Sequence, residues 1–324
     1  MHRVYQTFVE QAESTHILVV GDVMLDEYVS GTVTRISPEA PVPIIETSGT
    51  SYALGGAANV ANNLRALGCR ASLMGVIGLS DGSSEIFLRE VGVAGIDSRG
   101  IIESTSRPTT RKTRIMAHNQ QMLRVDHEKA DMIDEIELGF FLGLLCEQEP
   151  DAIIFSDYAN GMFHPTLFRR LVEISRDREI PLAVDPKGTQ WQRYRGATAI
   201  TPNEDELRAA IGNCYRDLHQ YALSLYGLIE FQELLITQGS MGMTLFQSFS
   251  ADEIKIQANP AHPVFDVCGA GDTVMAVFAL GLALKQDPVA TARLANLAAG
   301  IVVGKIGTST ASMEEIDQEL QRSC

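Results

Sequence analysis

The sequence predicts an α/β fold in which a mostly parallel central sheet is flanked by helices, with a small second β-sheet beside it. Short apolar runs alternate with segments of helical periodicity along most of the 324 residues, and Gly, Asp, Pro or Asn closes each run. Two further stretches break this rhythm and carry the composition of strands. Because no repeat, low-complexity tract or long linker interrupts the chain, we expect a single domain over residues 1–324.

Six apolar runs are the candidate strands of the central sheet. They lie at residues 17–20, 72–77, 152–155, 182–184, 199–201 and 234–237. The carboxyl ends of parallel strands meet at one edge of a sheet, where α/β proteins bind their ligands. Polar residues that directly follow these runs are therefore the first candidates for a functional site.

Apolar residues recur at helical spacing between the strands. The two clearest sets are Ile133, Ile136, Phe140 and Leu144, and Leu167, Phe168, Leu171 and Val172. We interpret both sets as stripes that face the core, because any packed helix shows this spacing.

The two exceptional stretches are residues 28–54, rich in Val, Ile, Thr and Pro, and residues 109–126, where polar and apolar residues alternate. Each is inserted beside the end of a predicted central strand. We interpret them as the strands of a lid that covers the active-site edge. The alternative is an edge extension used only for contact between subunits.

Charge and cysteine content limit the class of partner and the compartment. The formal net charge of −15 opposes nucleic acid and anionic membranes, but local Arg and Lys residues still allow an anionic small molecule. The sequence has neither a signal-peptide pattern nor an apolar run of membrane-spanning length. The five cysteines are widely spaced without a C-x-x-C pair, which favours reduced thiols in the cytoplasm. They are Cys69, Cys146, Cys214, Cys268 and Cys324.

The strongest motif is DVCGAGDTVMAVFALGLAL at residues 266–284, where a turn of small residues enters an apolar helix. Gly269, Ala270 and Gly271 leave backbone N–H groups open at a helix N-terminus, which favours an anion. Asp272 follows at once, and a carboxylate beside a bound phosphate suits a general base for phosphoryl transfer to a hydroxyl. A helix-capping role for Asp272 is the alternative, and the local sequence does not decide between the two.

The second motif is ALGGAANVANNLRALG at residues 53–68. Gly55 and Gly56 allow close approach to a ligand, and the Asn59 side chain offers a donor and an acceptor to a sugar hydroxyl. A hydrated position on the helix surface is the alternative, which we favour for Asn62 and Asn63.

The two motifs, in this order and at this separation, resemble the paired signatures of the PfkB or ribokinase family of carbohydrate kinases. The resemblance covers roughly residues 15–320 and sharpens to the heptose 7-phosphate kinases of that family. The stretches that carry it are VVGDVMLDEY, RISPEAPVPI, NQQMLRVD, SDYANG, DPKGTQWQRYRGAT, TPNEDE and GKIGTST.

This resemblance implies a ribokinase-like fold with a lid. It also implies ATP-dependent phosphorylation of D-glycero-β-D-manno-heptose 7-phosphate at the anomeric 1-hydroxyl, a step in making ADP-heptose for bacterial lipopolysaccharide. Two alternatives stay open. One is another sugar or sugar-phosphate kinase of the same family, and the other is a non-catalytic sensor of sugar or nucleotide.

By the same resemblance, Asp272 is the catalytic base and residues 269–271 form the anion hole. Asp26 contacts sugar hydroxyls, with Asp22 as the second candidate for that contact. Gly56 and Asn59 complete the sugar site.

The resemblance also assigns a nucleotide side and two cofactors, ATP and Mg²⁺, with a monovalent cation as a further candidate. Asn203 and Glu206 of TPNEDE lie near the phosphates, and Glu206 holds Mg²⁺ mainly through water, as this ion prefers. The weaker assignments are Thr237, Gly239 and Gly242 in a nucleotide-side loop, and Asn296 beside the adenine.

A substrate that already carries a phosphate needs cations to bind it. Strand alternation puts Lys112 and Arg114 on one face, and Lys187 is a third candidate. Arg35, Arg111 and Arg124 are further candidates. For each residue taken singly, a solvated surface charge is the alternative.

Two departures from the heptose kinase pattern affect these expectations. SDYANG carries Asn160 where those kinases usually carry Lys, so a phosphate contact is lost there. No histidine lies in the H-x-G-H motif of a cytidylyltransferase, so we expect the kinase alone, either by nature or because the chain is a piece of a longer protein. A separate cytidylyltransferase of the same pathway is a candidate partner. The exposed edges of the small sheet further predict a homodimer through the lid.

Overall fold

The computed structural model describes residues 1–118, 120–212, 217–248, 252–258 and 265–322. Within them a central sheet has the strand order β13-β12-β11-β10-β9-β8-β1-β4-β5. Neighbouring strands are parallel from β5 to β11, and β12 and β13 join antiparallel at one edge. The bounds are β1 His16–Gly21, β4 Arg70–Gly78, β5 Asp97–Ser104, β8 Ala152–Ser156, β9 Leu182–Asp185, β10 Ala199–Ile200, β11 Glu233–Thr237, β12 Met243–Gln247 and β13 Ile254–Ile256.

A second sheet of four strands has the order β3-β2-β6-β7. Its strands are β2 Val23–Ile36, β3 Pro43–Gly56, β6 Arg111–Ala117 and β7 Gln120–His127. Strand β2 begins two residues after β1 ends, so the small sheet grows directly from the carboxyl edge of the central sheet. Every described residue of β7 is exposed, which leaves one strand at the rim of this sheet in solvent.

Helices cover both faces of the central sheet. They are α1 His2–Gln11, α2 Ala57–Ala66, α3 Ser83–Val93, α4 Glu135–Leu145, α5 Pro165–Asp177, α6 Glu204–Ile211, α7 Leu218–Ile229, α8 Ala270–Ala283, α9 Pro288–Val303 and α10 Met313–Arg322. Residues of α1–α3 and α8–α10 pack in the core cluster on one face, and residues of α4–α7 pack in the cluster on the other. Helix α8 is buried along ten consecutive residues, which fixes its N-terminus firmly at the carboxyl edge of the sheet.

The predicted fold class is confirmed. Five of the six apolar runs lie in a central strand, the run at 199–201 extends one residue beyond β10, and both exceptional stretches lie largely in the small sheet. Strands β5, β12 and β13 were not predicted. β5 is only half-buried, and its mixed sequence DSRGIIES lacks the continuous apolar run by which the other strands are recognised.

One predicted core stripe is confirmed and the other is partly wrong. Leu167 and Leu171 of α5 are fully buried, whereas Ile136 and Phe140 of α4 are exposed by 83% and 48%. The sequence EIELGFFLGLL is apolar almost all round, so its periodicity does not specify which face turns inward. The chain packs the face that carries Phe141 instead.

The cysteines and the lengths of the helices relate to two further predictions from the sequence. Among the described cysteines, Cys69, Cys146 and Cys268 are free thiols, and Cys214 and Cys324 lie outside the described residues. None of the helices described here has the length and apolar character to cross a membrane.

Candidate active site

A cleft of about 320 Å³ opens where the carboxyl edge of the central sheet meets the small sheet and the N-terminus of α8. Its lining combines carboxylates, cations and glycine backbone, which is the composition that the sequence predicted for this edge. The lining residues are Met24, Asp26, Gly56, Lys112, Arg114, Arg124, Glu128, Tyr158, Asn160, Lys187, Cys268, Gly269, Asp272 and Thr308.

Asp272 lies in the first turn of α8 and is 4% exposed. Its Oδ2 accepts a 2.7 Å hydrogen bond from Asn59 Nδ2, and its Oδ1 accepts a 2.8 Å bond from the Tyr158 hydroxyl. Burial raises the pKa of the Asp272 carboxyl to about 6; these two hydrogen bonds oppose the rise, and the nearby Asp26 adds to it. A carboxylate with this pKa is ionised at neutral pH yet basic enough to take a proton.

The N-terminus of α8 lies at the cleft, where the sequence predicts an anion hole at residues 269–271. Of these predicted amides, that of Ala270 donates to Val267 O at 3.4 Å. Gly269 is the N-cap residue of α8 at φ 79°, and a Cβ there would come within 2.8 Å of Asn59 Nδ2, so only glycine fits. The N–H groups of Gly271 and Asp272 find no backbone acceptor in the described part of the chain. They are available to an anion beside the Asp272 carboxylate.

A buried chain of polar groups holds Asn59 in place. The Thr273 hydroxyl donates to Asn63 Oδ1 at 2.8 Å, and Asn63 Nδ2 donates to the backbone oxygen of Asn59 at 2.9 Å. The expectation that Asn63 is a hydrated surface residue is wrong, since it is 1% exposed. Asn62, the other residue of that expectation, is half-buried. No local signal identifies Asn63, because its partner Thr273 lies in the other motif.

Asp26 of β2 is buried against Arg114 of β6. Its Oδ1 accepts a 2.5 Å bond from Arg114 Nη1, and its Oδ2 accepts a 2.6 Å bond from the Thr308 hydroxyl. Burial works against the charged form of Arg114, but the Asp26 carboxylate outweighs it and raises the pKa of the guanidinium. Arg114 therefore stays charged at the wall of the cleft.

Lys112 and Arg114 share one face of β6, as alternation predicted, and both line the cleft. Arg124 of β7 lies opposite Arg114 and lines it too. Lys112 Nζ is 3.3 Å from Asp126 and 3.0 Å from Glu128, so its charge is shared with carboxylates at the rim.

Two of the predicted cations lie elsewhere. Arg35 is exposed and 3.8 Å from Glu46, and Arg111 is 3.6 Å from Glu27. Neither lines the cleft, so the expectation that they belong to the cation cluster is wrong. Arg35 lies far out on β2, and Arg111 alternates to the opposite face of β6 from Lys112.

Residues 157–162 form a loop after β8, and the sequence did not predict that this loop contacts Asp272. Its Tyr158 binds Asp272, and its Asn160 donates from Nδ2 to Glu128 at 3.2 Å. Asp22 does not line the cleft, so its assignment as the second sugar contact is wrong. Its carboxylate instead accepts backbone N–H groups of this loop.

Glu206 and Asp185 are the carboxylates best suited to hold a divalent cation. Glu206 accepts from Lys187 Nζ at 2.8 Å and closes the capping box of α6 with Asn203. Burial, followed by the nearby Asp272 and Glu206 carboxylates, raises the pKa of Asp185 well above its usual range. The described residues contain no cluster of three or more ligating side chains. A pair of carboxylates is enough to hold Mg²⁺, because this ion keeps much of its water and binds through one or two carboxylates.

The residues predicted for the nucleotide side form a second group beside β10 and β11. Asn203 pairs with Thr237 as an isolated parallel bridge, and Gln238 N donates to Gly242 O at 2.8 Å in the turn that contains Gly239. Asn296 of α9 donates to Gln257 O at 2.8 Å. Asn296 lines a separate pocket of about 370 Å³ rather than the cleft around Asp272.

Three features occur together at this edge of the mostly parallel sheet: a buried carboxylate, an open helix N-terminus and a second sheet that carries cations. This combination is typical of the ribokinase-like class of phosphotransferases. Solved structures show the same fold. Arabidopsis thaliana ribokinase complexed with ribose and ATP aligns with TM-score 0.73 at 18% identity, over 95% of this chain and 98% of that one. Escherichia coli phosphofructokinase-2 in complex with potassium aligns with TM-score 0.78 at 16% identity, over 96% and 99%.

The chain belongs to the pfkB family of carbohydrate kinases, which matches residues 14–316. Among curated relatives, the bifunctional protein HldE of Geobacter sulfurreducens is 44% identical over 311 residues, 94% of this chain and 63% of that protein. The protein of the same name from Citrifermentans bemidjiense is 42% identical over 98% of this chain and 66% of its own length. The chain thus spans just under two thirds of the length of these relatives.

Proposed function

We propose that this protein transfers the γ-phosphoryl group of ATP to the anomeric 1-hydroxyl of D-glycero-β-D-manno-heptose 7-phosphate, giving the 1,7-bisphosphate and ADP for ADP-heptose synthesis. The observation that carries the proposal is the buried Asp272 carboxylate, which lies beside the open N-terminus of α8 in a cation-lined cleft. The sequence stretches that resemble heptose 7-phosphate kinases, and the 44% identity to a bifunctional HldE, support the choice of sugar.

The proton of the sugar hydroxyl goes to Asp272. As the hydroxyl oxygen forms its bond to the γ-phosphorus, the bond between that phosphorus and the β–γ bridging oxygen breaks and ADP leaves. The Asn59 and Tyr158 hydrogen bonds each occupy one oxygen of the Asp272 carboxylate, which fixes its orientation. A remaining lone pair then receives the proton without rotation of the side chain.

Negative charge on the transferring group is met by the open N–H groups of Gly271 and Asp272 at the start of α8. Mg²⁺, when bound near Glu206 and Asp185, would neutralise charge on the nucleotide phosphates. Lys187, which bonds Glu206 at 2.8 Å, carries a further positive charge on this side of the cleft. Asn203, Thr237, Gly239, Gly242 and Asn296 are the proposed nucleotide contacts.

The sugar phosphate lies under the small sheet in this proposal. Asp26 accepts hydrogen bonds from sugar hydroxyls near Gly56, and Lys112 and Arg114 are the cations for the distal phosphate. Arg124 joins this set because it also lines the cleft. The small sheet acts as a lid that excludes water, which would otherwise accept the phosphoryl group.

The sequence also predicted sugar-side roles for Asn59 and Lys187. Asn59 instead holds Asp272 from outside the cleft lining, and Lys187 bonds Glu206 on the nucleotide side.

A substrate panel in an ADP-release assay tests the proposal. We expect kcat/KM for heptose 7-phosphate to exceed that for ribose and for fructose 6-phosphate. The reverse order would favour another sugar kinase of the same family. Thermal stabilisation by sugar or nucleotide with no ADP release on any sugar would instead indicate a sensor.

The proposal extends to partners. The exposed strand β7, with Met122, Leu123 and Val125 exposed by 44–55%, supports a homodimer through the small sheet. Light scattering at assay concentration decides this point. A nucleotidyl-transfer activity on a second domain or a separate protein would act later in ADP-heptose synthesis, and a further reaction must remove the 7-phosphate. A monovalent cation is a candidate cofactor, to be assayed by replacing K⁺ with a large organic cation.

A further inference from the structure

Asp22 links three parts of the protein that converge on the proposed base. It is the single residue between β1 and β2, and it is 4% exposed. Its backbone N–H donates to Ser156 O at the end of β8, and its backbone carbonyl accepts from the N–H of Ala57 at the start of α2, each at 3.0 Å. Helix α2 carries Asn59, so the Asp22 backbone tethers one of the two side chains that hold Asp272.

The Asp22 side chain tethers the other one. Oδ2 accepts the backbone N–H groups of Tyr158 and Asn160 at 2.8 and 3.0 Å, and Oδ1 accepts that of Met162 at 2.9 Å. Three amides of one short loop therefore converge on one buried carboxylate, an arrangement that binds anions well. The anion is a side chain of the protein itself.

The loop needs this anchor because its backbone is unusual. Ala159 has φ 59° although it carries a Cβ, and Gly161 has φ 97° in a place where a Cβ would collide with Asp131 O. Residues held at positive φ persist when the surrounding structure fixes them. Asp22 supplies contacts on both sides of Ala159, at the amides of Tyr158 and Asn160.

We propose that Asp22 is a positioning residue for phosphoryl transfer, which acts by holding loop 157–162 so that the Tyr158 hydroxyl stays on Oδ1 of Asp272. This inference rests on the proposed function of Asp272 as the base. Asp22 itself touches no substrate, because it does not line the cleft. Its effect passes through Tyr158, whose hydroxyl donates to Asp272 at 2.8 Å.

The test is a double-mutant cycle with Asp22→Asn and Tyr158→Phe, scored on the best sugar substrate of the wild-type enzyme. Asn keeps the size of the side chain but turns an N–H group toward backbone donors. Each single variant should lower kcat by about 10- to 100-fold, since small misplacement of reacting groups has effects of this size. KM for ATP should stay unchanged. The kcat of the double variant should lie within about twofold of the kcat of the less active single variant.

A matched control is Asp81→Asn. Asp81 also accepts backbone N–H groups of Ser84 and Thr109, at 2.7 and 2.6 Å, but it does not line the cleft. Its loss should lower the melting temperature and leave kcat of the folded enzyme unchanged. The proposal would be overturned if the kcat losses of the two single variants multiplied in the double variant. It would also be overturned if Asp22→Asn kept the wild-type kcat per folded molecule.

Hydrogen exchange covers the case in which Asp22→Asn does not fold. In the ligand-free wild-type protein, the amides of Tyr158, Asn160 and Met162 should exchange slowly, because a buried acceptor holds them. Exchange at the rate of an open loop would reject the inference. This measurement needs no substrate, so it tests the Asp22 contacts independently of the proposed function. Failure of the proposed function would instead appear as absence of ADP release from the wild-type protein.

Discussion

The side-chain amide of Asn59 donates a 2.7 Å hydrogen bond to Oδ2 of Asp272, and both residues are almost fully buried. The two lie 213 positions apart in the chain, one in each of the glycine-containing motifs. Their contact brings the N-terminal turns of α2 and α8 together at a single carboxylate.

Asp272→Asn should lower kcat by about 10²–10⁴-fold while ATP and sugar still bind, because only the proton acceptor is lost. Steady-state kinetics and calorimetric binding measure the two quantities. Asp287→Asn is the control, since Asp287 also accepts at a helix N-terminus, from Ala290 N at 2.8 Å, but lies outside the cleft. Near-normal turnover in the Asp272 variant would remove this residue from the chemistry.

The pH dependence follows from the same carboxyl. Its pKa is raised to about 6, first by burial, and it acts as a base only when ionised. Activity should therefore be full above pH 7 and fall as pH drops through about 6 rather than through 4, the ordinary range of an aspartic acid. A kcat/KM profile between pH 5 and 9 measures the limb. A fall in kcat/KM centred near pH 4 would show that the Asp272 carboxyl is exposed to solvent rather than buried.

The fold and the base were accessible from sequence because both have local signals. An apolar helix that begins with Gly269, Ala270 and Gly271 can be read without knowing its neighbours, and so can apolar runs that end in polar residues. Two side chains that support Asp272, one directly and one through Asn59, could not be read in this way. Tyr158 and Asn63 become part of the site only through contacts between distant segments, and each looks like an ordinary loop or helix residue in isolation.

The same limit explains the errors over Asp22 and Ile136. A carboxylate after a strand has the same sequence context whether it faces a ligand or accepts amides from its own protein, and Asp22 does the latter. In α4, residues are apolar on almost every side, so only packing against the sheet selects the buried face. Both errors arise where the local pattern permits two arrangements and tertiary contacts choose between them.

The rim cations should set affinity for a phosphorylated sugar. Arg124→Met should raise KM for heptose 7-phosphate by about 10- to 100-fold, the size expected for one charge-assisted hydrogen bond, with a small effect on kcat. Arg35→Met, in the same sheet but outside the cleft, is the control. An equal rise in KM for an unphosphorylated heptose would show that Arg124 does not read the phosphate.

The carboxylates near Lys187 should determine the Mg²⁺ requirement. Glu206→Gln and Asp185→Asn should each raise the Mg²⁺ concentration that gives half-maximal activity, because each removes a negative charge from the proposed site. Glu204→Gln serves as the control on the same turn of α6. Its carboxylate bonds Arg208 and Gln238 instead. Unchanged Mg²⁺ dependence in both test variants would place the ion elsewhere.

The buried hydrogen bonds that join Thr273, Asn63 and Asn59 should contribute to the stability of the fold as well as to the orientation of Asn59. Asn63→Ala removes the acceptor of the Thr273 hydroxyl and the donor to Asn59, and leaves both partners buried. We expect a loss of about 1–2 kcal/mol in the free energy of unfolding from the buried hydrogen bonds that are removed. The Thr273 hydroxyl keeps a second acceptor, Gly269 O at 3.1 Å, which limits the loss. Asn62→Ala, on the half-buried neighbouring position of the same helix, should change the free energy of unfolding by no more than about 0.5 kcal/mol. Denaturant unfolding measures both variants, and equal losses would show that the effect comes from helix propensity rather than from the network that orients Asn59 toward Asp272.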